Sequence, residues 1–328
     1  MAGAGKRMRP HTLTTPKPLI PVAGKPMVQH LVEDICGMSG EKIEEIGFVI
    51  GRFGKEAEKN LLEVASKVGA KGHIYYQDEA LGTAHAVLCA SELLNGKVIV
   101  AFADTLFRGE VKIDSAQDGT IWVQKVADPK AFGVVKLDKN NYITDFIEKP
   151  QQFVSDLAII GIYYFKDGAY LKKEMQYLID NDLKEKGEYQ LTNALENMKS
   201  KGTKFTVAQV SEWLDCGNKE ATLFTNKRML EVKPQGNLPS SVKVENSKII
   251  QPCFIHEGVS IKNSTVGPYV AIGKGTSIEG SEVSDSIIQE NSMLKNAKIS
   301  GSMLGNYVQY EGGTKANVNM GDYSQYKS

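Results

Sequence analysis

Apolar residues in the first two-thirds of the chain switch between two periods. Met27, Leu31, Val32 and Ile35 recur at helical spacing, with Pro26 suited to the first turn, and Ile46 to Ile50 then reads as a short buried strand. Ala57, Leu61, Val64, Ala65 and Val68 return to the helical period, and His73 to Tyr76 begins a second strand. Thr83 to Leu94 is predicted helical, and Lys97 to Ala103 (KVIVAFA) is an apolar run that stops at Asp104. Strand alternating with helix at these lengths predicts an α/β fold with a doubly wound, mostly parallel sheet. Ligands of such sheets collect outside the carboxyl ends of the strands, where Gln77 and Asp104 fall.

From Thr120 to Phe165 the pattern becomes strands without helices: TIWVQKV, FGVVKL, YITDFI and LAIIGIYYF, separated by Pro, Asn, Asp and Gly turns. These predict an antiparallel addition lying over the ligand cleft. Helical spacing resumes at Tyr170 to Ile179 and Leu191 to Met198, Phe205 to Val210 reads as a strand, and a last helix carrying Leu223, Met229 and Leu230 ends near Lys233. The first domain is thus expected over 1–233, with a linker over 234–241. Beyond it a near-hexad repeat places aliphatic residues at Ile249, Ile255, Ile261, Val266, Ile272, Ile278, Val283, Ile288, Leu294, Ile299 and Leu304. Three such steps make one coil of a left-handed parallel β-helix with a triangular interior, predicted over 242–311; a flat sandwich is the alternative. Residues 312–328 are polar, lack the aliphatic repeat and are expected to form a loosely held tail.

Composition narrows the function classes. With 41% apolar and 24% charged residues the chain is an ordinary globular sequence, and 39 basic against 39 acidic residues argue against a nucleic-acid or anionic-membrane binder. Cys36, Cys89, Cys216 and Cys253 stand far apart without C-x-x-C spacing, which speaks against zinc or a disulfide frame and for a reducing cytoplasm. No apolar run approaches the ~20 residues of a membrane helix.

The candidate chemistry is concentrated between Ala2 and Met27, AGAGKRMRPHTLTTPKPLIPVAGKPM. Gly3 and Gly5 permit positive φ and close backbone approach, and Lys6, Arg7, Arg9 and Lys17 supply charge, so the stretch reads as a phosphate-handling loop. Its full pattern, G-x-G-x-R-M-x-P, then T-x-x-P-K-P-L-I-P-V, then G-K-P-M, resembles the signature of the sugar-1-phosphate nucleotidyltransferases, and further motifs carry the resemblance to Gly217.

That resemblance implies an enzyme that joins a sugar-1-phosphate, glucose-1-phosphate first among them, to a nucleoside triphosphate, dTTP or UTP, with release of pyrophosphate. It implies Arg7 on the departing pyrophosphate and Lys17 on the α-phosphate. Mg2+ is implied on Asp104 in VAFADTLF and Asp215 in WLDCG, although Ala103 and Thr105 replace the family's glycine and asparagine. Gln77 and Gly82 in the segment running into EALGTAHAV match the base-reading segment, with Gly3 and Gly5 on the nucleotide. Gly133, Glu148, Lys149 and Glu188 match the sugar-phosphate contacts, with Asn193 where relatives have aspartate. A catalytically weak homologue that senses nucleotide sugars is the alternative, as is an enzyme for GlcNAc-1-phosphate or mannose-1-phosphate. Some bifunctional relatives use the β-helix as an acetyltransferase; His256 is here read as a rim residue, and the coils as structural and homo-oligomer-forming. Family members carry a short apolar strand ahead of the A-G-x-G turn. Only Met1 precedes it here, so a first central strand is expected to be missing and an apolar slot to open beside the strand ending at Asp104.

Overall fold

The computed structural model describes residues 3, 5–109, 113–232 and 236–328. It divides into two compact units, Leu31–Trp213 with Gly3, and residues 5–30 with Leu214–Ser328. The opening loop and the last helix therefore cluster with the repeat region, whereas the composition had placed the boundary in the linker, of which Pro234 and Gln235 lie outside the described residues.

In chain order the opening loop carries three single-turn 3-10 helices, Lys6–Met8, His11–Leu13 and Lys17–Leu19, then the hairpin β1 (Pro21–Val22) and β2 (Lys25–Pro26), then helix α1 (Met27–Ser39). Strands β3 (Glu45–Ile50) and β4 (Lys71–Tyr76) flank α2 (Lys55–Lys67) and pair in parallel, Glu45 opposite Lys71 through Ile50 opposite Tyr76. This is the predicted βαβ unit, and Ala57, Leu61, Val64 and Ala65 form the buried stripe of its helix. Helix α3 (Thr83–Leu88) is shorter than its pattern suggested, and β5 (Val98–Ala101) runs into a turn at Asp104 before β6 (Thr105–Arg108).

The strands β7 (Gly119–Lys125), β8 (Gly133–Leu137), β9 (Ile143–Glu148) and β10 (Leu157–Phe165) join β11 (Phe205–Gln209) in the order β11-β7-β10-β8-β9, with β5 also pairing β10. The expected antiparallel addition is thus continuous with the sheet rather than laid over a cleft. The reason lies in β10: all but its first residue are buried, so both its edges and faces need partners, and β5, β7 and β8 all run antiparallel to it. The α/β class holds, with a mixed sheet in which β11 with β7 and β3 with β4 are parallel. Helices α4 (Gly168–Asp180) and α5 (Leu191–Ser200) contribute Leu171, Met175, Leu195 and Met198 to the core over β7 and β10. Among the described residues β3 pairs only with β4 and β5 only with β10, so the parallel pair is a separate sheet; Met1, on which the missing-strand expectation centres, lies outside the described residues.

The unit boundary falls within β12 (Glu212–Asp215), which leads into α6 (Lys219–Val232), and Lys243 onward in the second unit is a parallel β-solenoid with three faces. One register column runs Lys243, Ser260, Ser277, Met293, Gln309, Gln325. The predicted aliphatic series points inward and packs as one cluster. Small residues recur between them because the corners bury hydroxyls that must be satisfied: Ser264 Oγ accepts from the Ser281 N–H and Ser281 Oγ from the Ala297 N–H, each one coil on. Asn263 and Asn296, at φ 49 and 51, occupy left-handed corners that other side chains avoid.

The polar tail expected over 312–328 is corrected by the structure: Thr314–Ala316, Asn319–Met320 and Gln325–Lys327 add strands to all three faces. Backbone ladders and corner hydroxyls carry the register after aliphatic residues give out. At the inward positions Tyr326 stacks on Tyr310 at 4.7 Å, and the Lys315 ammonium lies 3.8 Å over the Tyr326 ring.

Candidate functional site

The sequence-predicted residues fall into two groups, one in each unit. Gly5, Arg7, Lys17 and Asp215 belong to the unit that holds the opening loop; Gly3, Gln77, Gly82, Asp104, Gly133, Glu148, Lys149 and Glu188 belong to the unit that holds the mixed sheet.

In the loop, Gly5 has φ 56, and a Cβ there would stand 2.9 Å from Thr12 Cγ2 and 3.4 Å from Lys17 Cβ. Glycine at this point is required twice, by its dihedral and by the fold-back that sets Lys17 beside it. Thr12 locks that fold-back by donating from its hydroxyl to the Gly5 carbonyl at 2.9 Å. Gly3 differs in its packing: nothing lies within 4 Å of its Cβ position. Arg7 is exposed, and a Cβ on Gly217 would stand 3.1 Å from its Nη2 and 2.8 Å from Asp215 Oδ2, which places guanidinium and carboxylate around the same glycine. The Thr225 hydroxyl of α6 donates to the Asp215 carbonyl and fixes the end of β12.

In the sheet unit, Gln77 is buried at the end of β4. Its amide nitrogen donates to the Gly82 carbonyl at 3.0 Å and lies 3.0 Å from His85 Nδ1, which leaves Oε1 as the accepting atom of that amide. Gly82 opens α3 at φ 113, packed on the backbone of Tyr189, and Tyr189 N donates to the Leu81 carbonyl while Ala84 N donates to the Tyr189 carbonyl. Glu188 is thereby held next to Gly82, and Gln190 donates to Glu188 Oε2. Gly133 is the register partner of Glu148, whose Oε2 would be 3.0 Å from a Cβ on that glycine. The Glu148 carboxylate is nearly buried and pairs with Lys149 at 3.3 Å. Lys149 adopts φ 45, a left-handed turn that ends β9.

Two side chains beside this group were not singled out from sequence. The Lys186 ammonium donates to the carbonyls of Glu148 and Lys149, and Thr192 donates to Glu148 Oε2 at 3.5 Å. Both lie in the KGEYQLTNAL segment that carries Glu188, and that membership was the one signal the sequence offered for them. Buried Tyr163 completes the floor: burial first, and the Glu148 charge second, push its phenol well above the usual range, so it stays protonated.

Asp104 sits in the β5–β6 turn, which is clamped by Thr105 donating to the Ile160 carbonyl at 2.7 Å. Among the described residues no group of three His, Cys, Asp or Glu side chains gathers to hold a metal. Hard carboxylate oxygens in ones and twos suit magnesium, which fills its remaining positions with water and ligand phosphate.

A family model described as nucleotidyl transferase matches residues 1–232. A low-salt glycan biosynthesis nucleotidyltransferase of Haloferax volcanii is 31% identical over 329 residues, covering 92% of this chain and 90% of that one. A glucose-1-phosphate thymidylyltransferase of Streptomyces antibioticus is 30% identical, covering 94% and 91%. Among solved structures, a Bacillus anthracis protein described as a glucose-1-phosphate thymidylyltransferase, crystallised with sucrose, superposes with a TM-score of 0.60 at 25% identity over 72% of this chain and 95% of that one.

Proposed function

We propose that this chain, which belongs to the nucleotidyl transferase family, joins a sugar-1-phosphate to a pyrimidine nucleoside triphosphate and releases pyrophosphate, with glucose-1-phosphate and dTTP or UTP as the substrates. The observation that carries this reading is the pair of polar groupings in the sheet unit. Gln77 and Gly82 are joined through the backbone of Tyr189 to Glu188, and Gly133, Glu148 and Lys149 are joined to one another by register and ion pairing. Groupings with an amide acceptor, two carboxylates and a lysine suit a base, a polyhydroxylated ring and a phosphate.

In this reading Gln77 Oε1 accepts the N3–H of thymine or uracil, an N–H that cytosine lacks. Glu148 and Glu188 accept from sugar hydroxyls, with Gly133 admitting the ring, and Lys149 binds the sugar phosphate. A phosphate oxygen of the sugar-1-phosphate attacks the α-phosphorus while the bond to pyrophosphate breaks, so negative charge must be neutralised on both sides. Lys17 meets the charge on the α-phosphate, Arg7 that on the leaving pyrophosphate, and Gly3 and Gly5 allow backbone N–H groups to approach. Asp104 and Asp215 would hold a magnesium ion that supplies Lewis-acid charge to the phosphates. The four cysteines are free, which suits a reducing cytoplasm, and no helix among the described residues is long and apolar enough to cross a membrane. A homo-oligomer built through the solenoid belongs to the same proposal and is tested by light scattering with and without the residues after 236.

Pyrophosphate release measured over a matrix of sugar phosphates and triphosphates tests the reaction. The expected result is magnesium-dependent turnover, highest with glucose-1-phosphate and dTTP or UTP. Nucleotide-sugar binding without turnover for any pair would replace the enzyme with the sensing homologue.

A further inference from the structure

We infer that the terminal coil of the solenoid, through Asn319 and Asp322, positions the phosphate loop for the reaction proposed above, on which the activity arm of the test rests.

The solenoid faces differ in their outward columns. One runs Glu245, Lys262, Glu279, Lys295, Glu311, Lys327, an alternation of charge that neutralises itself in solvent. Another runs Phe254, Ala271, Ile287, Met303, Asn319, and its three central members are buried although they point away from the interior. A solenoid face is apolar on its outside only where something covers it. The cover is α6 and the opening loop of the same unit. Phe254 packs on Gly24, leaving no room for a Cβ there, and Asn226 of α6 ties Ala23 N–H to the Tyr269 carbonyl.

Where the apolar column ends, polar contacts take over, and they reach the phosphate loop at its fold. His11 Nε2 lies 2.8 Å from Asn319 Oδ1, and the Thr14 hydroxyl donates to Asp322 Oδ2 at 2.8 Å. A Cβ on Gly321 would stand 2.9 Å from Pro10 Cβ, so the loop lies directly on the coil between those two bonds. Asp322 is itself set by the Asn306 N–H and side-chain amide. From His11 and Thr14 the path inward is one residue long: Thr12, between them, bonds the Gly5 carbonyl and packs against the position that brings Lys17 alongside. Neither Asn319 nor Asp322 is placed to touch substrate in this account. They are positioning residues, acting through Thr12 on Gly5, Arg7 and Lys17.

The test replaces both anchors, Asn319→Ala with Asp322→Ala, in the full chain. Amide exchange over 11–19 is expected to accelerate about tenfold or more, the loss of roughly one charge-assisted bond, while exchange over the coils at 255–304 is unchanged. The KM for triphosphate should rise or kcat fall by about tenfold or more, with the KM for sugar phosphate unmoved. Asp322→Asn alone should show a smaller effect than the double replacement, since its single amide oxygen can still accept from Thr14 or from the Asn306 N–H but not from both. Unchanged exchange over 11–19 overturns the anchor. Faster exchange with unchanged triphosphate kinetics overturns the positioning role. If the parent chain turns over no pair of substrates while exchange still rises in the variant, the anchor stands and the proposed reaction fails.

Discussion

Gly82→Ala places a methyl group 2.5 Å from the carbonyl oxygen of Tyr189 and 2.7 Å from its nitrogen. Those are backbone atoms that cannot rotate away, so they must retreat by roughly 1 Å to reach ordinary contact. The dihedrals are a second obstacle, since φ 113 with ψ 179 is a region held almost only by glycine, at a cost of about 1–3 kcal/mol for other residues. The retreat also lengthens the Tyr189-to-Leu81 and Ala84-to-Tyr189 hydrogen bonds, each worth about 1 kcal/mol. Together these give a loss of about 3–5 kcal/mol, or a fall in Tm of about 10 °C. Gly54→Ala is the control, because Gly54 opens α2 at φ 91 and ψ 168 with nothing within 4 Å of a Cβ, and so carries the dihedral cost alone. Thermal unfolding of the two variants isolates the close approach as their difference. Steady-state kinetics should show kcat/KM falling about 10²-fold in Gly82→Ala, because both Gln77 and Glu188 are tied to the displaced backbone. Equal stability in the two variants, or parental activity in Gly82→Ala, would refute the argument that this glycine welds the base and sugar segments together.

Lys17→Ala should depress kcat far more than triphosphate affinity, whereas Lys149→Ala should raise the KM for sugar phosphate; kinetics showing the two phenotypes exchanged would swap their roles. Asp104→Asn and Asp215→Asn should each abolish turnover at saturating magnesium, and near-normal rates in either would remove that carboxylate from the proposed metal role. The His11 imidazole is held below its ordinary pKa, by burial first, with Lys219 in the same direction and Asn319 and Asp322 opposing. A lowered folded-state value means that its stabilisation is present above the unfolded pKa of about 6.5 and is lost as pH falls below it, by up to about 1.4 kcal/mol per pH unit. Tm should therefore drop more steeply from pH 7 to 5 in the parent than in His11→Gln, and parallel curves would show that His11 contributes nothing.

The solenoid was legible because its interior repeats a single requirement, one aliphatic side chain per face, from Ile249 to Leu304. It became illegible at 312, where Lys315 and Tyr326 occupy the same inward register with a different chemistry. Its outer column was hidden for a related reason: Phe254, Ala271, Ile287 and Met303 each stand directly before an inward aliphatic residue, so in the sequence they merge with the core run. That the antiparallel strands continue the sheet was not readable, because a strand buried on both faces, such as β10, carries no alternation that would reveal its direction or neighbours. Lys186 and Thr192 were not singled out beside the motif residues, since their contacts with Glu148 depend on how α5 and the segment before it pack against β9.

The bonds from His11 to Asn319 and from Thr14 to Asp322 each join residues 308 apart in the chain. At about 5–20 residues per second on the ribosome, the segment made first waits some tens of seconds for its anchor to be synthesised. Until then the opening loop lacks these two bonds, and the closure of so long a loop comes late in folding rather than early. A nascent chain halted before residue 319 would display the cation-bearing loop without its clamp. On the inference above, synthesis of the coil at 319–322 is thus what makes the seating of Lys17 possible, and a product stopped short of it would lack both bonds.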